Sequence, residues 1–288
     1  MEQVHSDAVA IAPLPRLSWV GYPAARSVLA RLEELINLPK THRMPNMVLT
    51  APTNNGKTLL LRRFVDRHVG EPDPDAEQSS IPIVMIDVPP EASESRLYQA
   101  LLERLLSPGP NREPIDTKLH RLKHILERLG TRILILDEFS NALAGGPVHQ
   151  MKFLNAIKGL GNALQIPIVV AGVPQIGALL RRDPQLANRF EPYHLPSWEG
   201  EPRQYVSLLK TFEQAVGFDA SPLFSRGPFV KEWLRQTDGL IGETATLFSR
   251  IAERAAAQGR RVIVEEDIGK EVLAAVRWTR PRERVAEA

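Results

Sequence analysis

The chain has 288 residues, 43% of them hydrophobic, enough for one large domain plus a smaller one. It contains no cysteine, which excludes disulfide scaffolds, thiol catalysis and cysteine-ligated zinc. The net charge of only +2, with a sequence pI of about 8.9, permits a nucleic-acid partner without demanding one.

Taken in chain order, residues 1–18 lack periodicity and read as an extended arm. Val28, Leu29, Leu32, Leu35 and Ile36 follow at three- and four-residue spacing, the pattern of a helix that stops before Pro39. After Arg43-Met44-Pro45-Asn46 the apolar run 47–50 reads as a buried strand, leading through a Gly-Lys turn into a helix over 59–68. The pattern then repeats. Strands are expected at 81–88, 133–136 and 166–171, with helices at 95–106, 116–129 and 149–164. Alternating strands and helices predict an α/β fold with a mostly parallel sheet covered by helices on both faces. The alternation ends near Pro196-Ser197-Trp198, and only helical patterns follow, at 205–216, 228–236, 242–258 and 265–278. No run approaches the ~20 apolar residues of a membrane span. The first residues lack the basic-then-apolar pattern of a signal peptide, so a soluble cytoplasmic protein is expected.

Two motifs carry chemistry. The first is Ala51-Pro52-Thr53-Asn54-Asn55-Gly56-Lys57-Thr58, set between an apolar strand and an amphipathic helix. Backbone N–H groups curling at a helix N-terminus hold anions, so this loop is expected to cradle the phosphates of ATP. Lys57 would reach the β- and γ-phosphates, and the Thr58 hydroxyl would ligate magnesium. Ala51 stands where the usual pattern has glycine, a tolerable change if that position does not need positive φ. The second motif is Ile133-Leu134-Ile135-Leu136-Asp137-Glu138, in which a buried strand delivers two carboxylates to the carboxyl edge of the sheet. Asp137 would hold magnesium and Glu138 would act as general base on the attacking water. Gln175 and Asn141 are rival candidates for a polar contact to the γ-phosphate. Arg189, just before Phe190, is the candidate for an arginine supplied to a neighbouring subunit.

The order of these motifs resembles the AAA+ ATPases, and more narrowly the TniB/TnsC group of transposition regulators. The resemblance covers roughly residues 20–275. It rests on Arg43-Met44-Pro45-Asn46, Leu136-Asp137-Glu138, Pro167–Gly172, Arg182-Asp183, Asn188-Arg189-Phe190 and Asp238-Gly239-Leu240-Ile241-Gly242. It implies an AAA+ core over 46–198 preceded by an arm and helix, a helical lid over 199–277 and a basic tail over 278–288. It implies hydrolysis of ATP with Mg2+, which the departures at Ala51, Val173 and Glu243 are expected to make slow and regulatory, and assembly of a homo-oligomeric ring or filament on double-stranded DNA. It also implies recruitment of a DDE-type, TniA-like transposase and no membrane partner. Lys57, Thr58, Asp137 and Glu138 carry over as nucleotide and magnesium residues, and Arg189 as the finger acting in trans. Ser95, Arg96, Asn111 and Arg112 stand where relatives contact DNA. Val173 departs from the threonine usual in relatives, and Glu243 from the arginine of many lids. Two alternatives share the core. A signalling switch of the STAND/NACHT kind would need sensor or effector domains for which 288 residues leave no room. A helicase loader would call for aromatic stacking platforms, and aromatics are only 6% of the chain.

Overall fold

The computed structural model describes residues 21–69, 80–110, 112–200 and 202–286, except the side chains of 285 and 286. The expected arm over 1–18 lies outside these residues. The chain divides into two compact units.

One unit comprises Pro23–Thr53 and Lys57–Leu195. Five strands, β1 (Asn46–Thr50), β2 (Ile83–Asp87), β3 (Ile133–Asp137), β4 (Ile168–Gly172) and β5 (Phe190–His194), form one sheet in the order β2-β3-β4-β1-β5. Every pairing is parallel. All residues of β3 and β4 are buried, as the unbroken apolar runs of a parallel sheet require. Helices α1 (Pro23–Asn37), α2 (Lys57–Arg67), α3 (Glu94–Arg104), α4 (Ile115–Arg128) and α5 (Pro147–Leu164) supply the covering layers. Short helices α6 (Gln175–Leu180) and α7 (Pro184–Ala187) precede β5. The core joins Val84, Leu134, Leu136 and Val170 of the sheet to Leu97, Leu101, Leu122, Leu126, Leu154 and Ile157 of the helices.

Register fixes which residues share an edge. Thr50 lies opposite both Gly172 and His194, and Asp87 opposite Asp137, so these strand ends gather at the carboxyl edge. At the other edge Asn46 lies opposite Phe190. Asn46 is buried and ties three strands together: its N–H donates to Arg189 O (2.8 Å), and its Oδ1 accepts from the Ile168 N–H (2.9 Å).

The other unit comprises residues 21–22, Asn54–Gly56 and 196–286. Its helices are α8 (Pro202–Ala215), α9 (Gly227–Thr237), α10 (Ile241–Ala257), α11 (Lys270–Ala275) and α12 (Pro281–Ala286). Phe224, Trp233 and Phe248 form its aromatic centre, with ring centroids 5.8 to 6.0 Å apart along the chain of contacts. One sequence expectation is corrected here. The single helix expected over 265–278 is a 3-10 turn, Glu265–Ile268, then α11, because Gly269 between them is extended (φ −71°, ψ 157°). Residues 281–286 within the expected tail are helical.

Candidate nucleotide site

The 51–58 loop leaves β1 at the carboxyl edge and runs into α2. Ala51 is fully buried, and its N–H donates to Gly172 O at 3.1 Å. Positive φ in the loop falls at Asn54 (58°) and Gly56 (83°), not at Ala51, so the missing glycine costs no backbone conformation. Pro52 is partly buried and Thr53 exposed. Asn55 is buried; its Nδ2 donates to Pro196 O (3.0 Å), and its Oδ1 accepts from the Ile241 N–H (3.4 Å).

Lys57 opens α2, and its Nζ donates to Ala51 O (3.1 Å) and Pro52 O (3.0 Å). Burial holds its pKa below the usual lysine value, with Asp137 and Glu138 acting in the opposite direction. The ammonium is therefore folded back onto its own loop. The Thr58 hydroxyl donates to Asp137 Oδ2 at 2.6 Å, and Asp137 Oδ1 accepts the Glu138 N–H at 2.8 Å. Asp137 is fully buried, whereas Glu138 adopts a left-handed conformation (φ 49°, ψ 35°) and its side chain is exposed. A non-glycine residue held there is uncommon and marks a constrained turn. The strand thus ends with one carboxylate fixed against the loop and the next free to meet solvent.

The rival candidates for the γ-phosphate contact separate. Asn141 Nδ2 donates to Val88 O at 2.6 Å, which commits it to joining loops. Gln175 opens α6 and is exposed. A residue that sequence reasoning missed is Ser140, whose Oγ accepts the Val173 N–H at 3.1 Å and so places a hydroxyl at the end of β4. Nothing in the spacing of Ser140 signals this role.

Arg189 sits at the amino edge, immediately before β5, and its Nη1 donates to Asn162 Oδ1 on α5 at 2.8 Å. The phosphate loop lies at the opposite end of β1. Five residues at about 3.3 Å each put about 16 Å of strand between them. Arg189 and the 51–58 loop of one chain are not brought together. Among the residues expected at DNA, Ser95 Oγ accepts from Lys118 Nζ (3.3 Å). Arg96 donates to Pro90 O (2.8 Å) and pairs with Glu91 (3.4 Å). Arg112 is exposed, and Asn111 lies outside the described residues.

None of the curated proteins matches the sequence. Among solved structures, the chain resembles the Aeropyrum pernix ORC2 protein in its ADPNP–ADP complexes, at 17% identity and a TM-score of 0.58, covering 86% of this chain and 65% of that one. It resembles Cdc6p from Pyrobaculum aerophilum at 20% identity and a TM-score of 0.63, covering 90% and 69%. The Aeropyrum pernix ORC1 protein in complex with DNA matches at 18% identity and a TM-score of 0.67, covering 95% and 70%. The chain therefore spans about two thirds of the length of these proteins, with which it shares a fold. The profile described as bacterial TniB protein matches residues 11–200. That span is well over half of the sequence, and the chain belongs to the TniB family.

Proposed function

We propose that this protein is an ATP-dependent regulator of transposition that oligomerises on target double-stranded DNA and recruits and activates a DDE-type transposase. The observation that carries the nucleotide half of this reading is the meeting of Lys57, Thr58 and Asp137 at the carboxyl edge of the sheet. Family membership supports the transposition half.

Backbone N–H groups of 53–58 bind the phosphates, and Lys57 exchanges its two carbonyl partners for β- and γ-phosphate oxygens. The Thr58 hydroxyl and Asp137 carboxylate form a hard-oxygen pair that fits magnesium shared with nucleotide phosphates. Among the described residues no group of three or more His, Cys, Asp or Glu offers a separate metal site. When bound, magnesium neutralises charge on the β- and γ-phosphates. Glu138, exposed beside Asp137, takes the proton of the attacking water. Arg189 stands too far along β1 to serve its own loop, and it completes the site of a neighbouring copy. Nucleotide thereby controls assembly, and slow hydrolysis reverses it.

The test is binding to double-stranded DNA, by electron microscopy and fluorescence anisotropy, with ATP, a non-hydrolysable analogue, ADP or no nucleotide. Ordered assemblies that require ATP, persist in Glu138→Gln and vanish in Arg189→Ala are expected. Absence of DNA binding in every nucleotide state would overturn the transposition reading and favour an ATP-gated signalling switch.

A further inference from the structure

The tip of the phosphate loop is gripped by the first turn of α10. Asn54 Nδ2 donates to Glu243 Oε1 at 3.0 Å, and the Gly242 N–H donates to Asn54 O at 3.0 Å. A Cβ on Gly242 would collide with the Asn54 side chain as it is placed here. The grip places a carboxylate on a residue three positions ahead of Lys57, in the loop that receives a highly anionic ligand.

That carboxylate is itself answered from α12. Arg284 donates to both Glu243 oxygens, from Nη2 to Oε2 at 2.8 Å and from Nη1 to Oε1 at 3.2 Å. The fork is pre-set: Arg284 Nε donates to Thr279 O (2.8 Å), and the guanidinium lies 4.9 Å from the centre of the Trp278 ring. Glu243 is largely shielded, its side chain 12% exposed. Arg284 is not what anchors the helix. Arg280 and Arg282 both reach Asp238, Arg282 also pairs with Glu199, and Trp278 Nε1 donates to Gln236 O.

We propose that Arg284 is a positioning residue for ATP: it neutralises Glu243, so that the carboxylate holding Asn54 does not repel the incoming triphosphate. The relay Asn54–Glu243–Arg284 makes the C-terminal helix a determinant of nucleotide affinity without touching the nucleotide. Losing the arginine while keeping the glutamate leaves bare negative charge beside the loop. Losing both charges together removes the problem.

This inference rests on ATP binding at 51–58, and the experiment separates the two. Binding of fluorescent ATP and ADP analogues to the full chain is measured at low and high salt. Wild type, Arg284→Ala, Arg284→Lys, Glu243→Gln and the double variant Glu243→Gln/Arg284→Ala are compared, with circular dichroism checking the fold. Arg284→Ala should weaken ATP roughly three- to tenfold, ADP less, with the gap narrowing at high salt. Arg284→Lys and the double variant should return to within about twofold of wild type. Wild-type binding matched by Arg284→Ala, or a double variant no better than Arg284→Ala, would overturn the relay and leave the nucleotide site standing. No binding by wild type would overturn both.

Discussion

Ala51 shows how a single position in the loop can depart from pattern without loss. It is buried and outside the left-handed region, so a methyl group fits where glycine is usual. Restoring the glycine gains no needed freedom and adds backbone entropy to the unfolded chain. Ala51→Gly is expected to leave the KM for ATP within about twofold while lowering stability by about 0.5–1 kcal/mol, measurable by urea unfolding. Glu213 of α8 is the opposite case, a residue at odds with its surroundings. Its Oε1 accepts the Ser221 N–H at 2.8 Å, but its Oε2 is buried without a partner among the described residues. Burial raises its pKa from 4.5 to about 7. The folded state therefore holds this proton where the unfolded state has released it, and the stability so gained is present below pH 4.5 and lost as pH rises towards 7. Glu213→Gln, compared with wild type by chemical denaturation, should show no advantage at pH 4.5. It should gain stability up to about pH 7, by at most about 3 kcal/mol, and hold that gain above.

At the scale of elements, the junction of β4 with the turn after β3 is set by close approach. A Cβ on Gly172 would lie 2.8 Å from Ser140 Oγ and 3.1 Å from the Ser140 backbone nitrogen. Backbone cannot yield as a side chain can, so Gly172→Ala should destabilise by about 1–3 kcal/mol in thermal unfolding. It should also lower ATP turnover, since Ser140 follows Asp137 by three residues. Legibility in the sequence followed burial. Strands β1 to β4 are short apolar runs, and both motifs sit at strand ends, so fold class and the Lys57–Thr58–Asp137 meeting were readable. Strand β5, Phe-Glu-Pro-Tyr-His, was not: only Phe190 is buried, so neither alternation nor an apolar run betrays it. The break at Gly269 escaped because the apolar spacing on either side continues a helical period. The Asn54–Glu243–Arg284 relay escaped because its members are 189 and 41 residues apart, a distance no local pattern spans.

For the whole molecule, a net charge of +2 leaves no global field to drag the chain onto DNA. On the proposed function, affinity would come from local phosphate contacts multiplied over copies. A plot of log K against log salt should fall by about 0.9 for each phosphate neutralised, with little dependence on DNA sequence. A finger acting in trans also predicts complementation. Glu138→Gln and Arg189→Ala should each be inactive alone, and mixing them should recover a fraction of ATPase activity. Mixtures no better than the separate variants would refute the trans role. How copies meet is constrained by β5, which ends the sheet. Glu191, Pro192 and His194 are exposed, and Glu191 is paired by Arg31 of α1 at 2.9 Å. Proline cannot donate to a further strand, and a charge on the rim disfavours one. On this side the sheet cannot be extended from molecule to molecule, which guards against the irreversible stacking that ends in fibrils. Any contact between copies on this side would be left to side chains, the kind of contact that the proposed nucleotide-controlled assembly could undo.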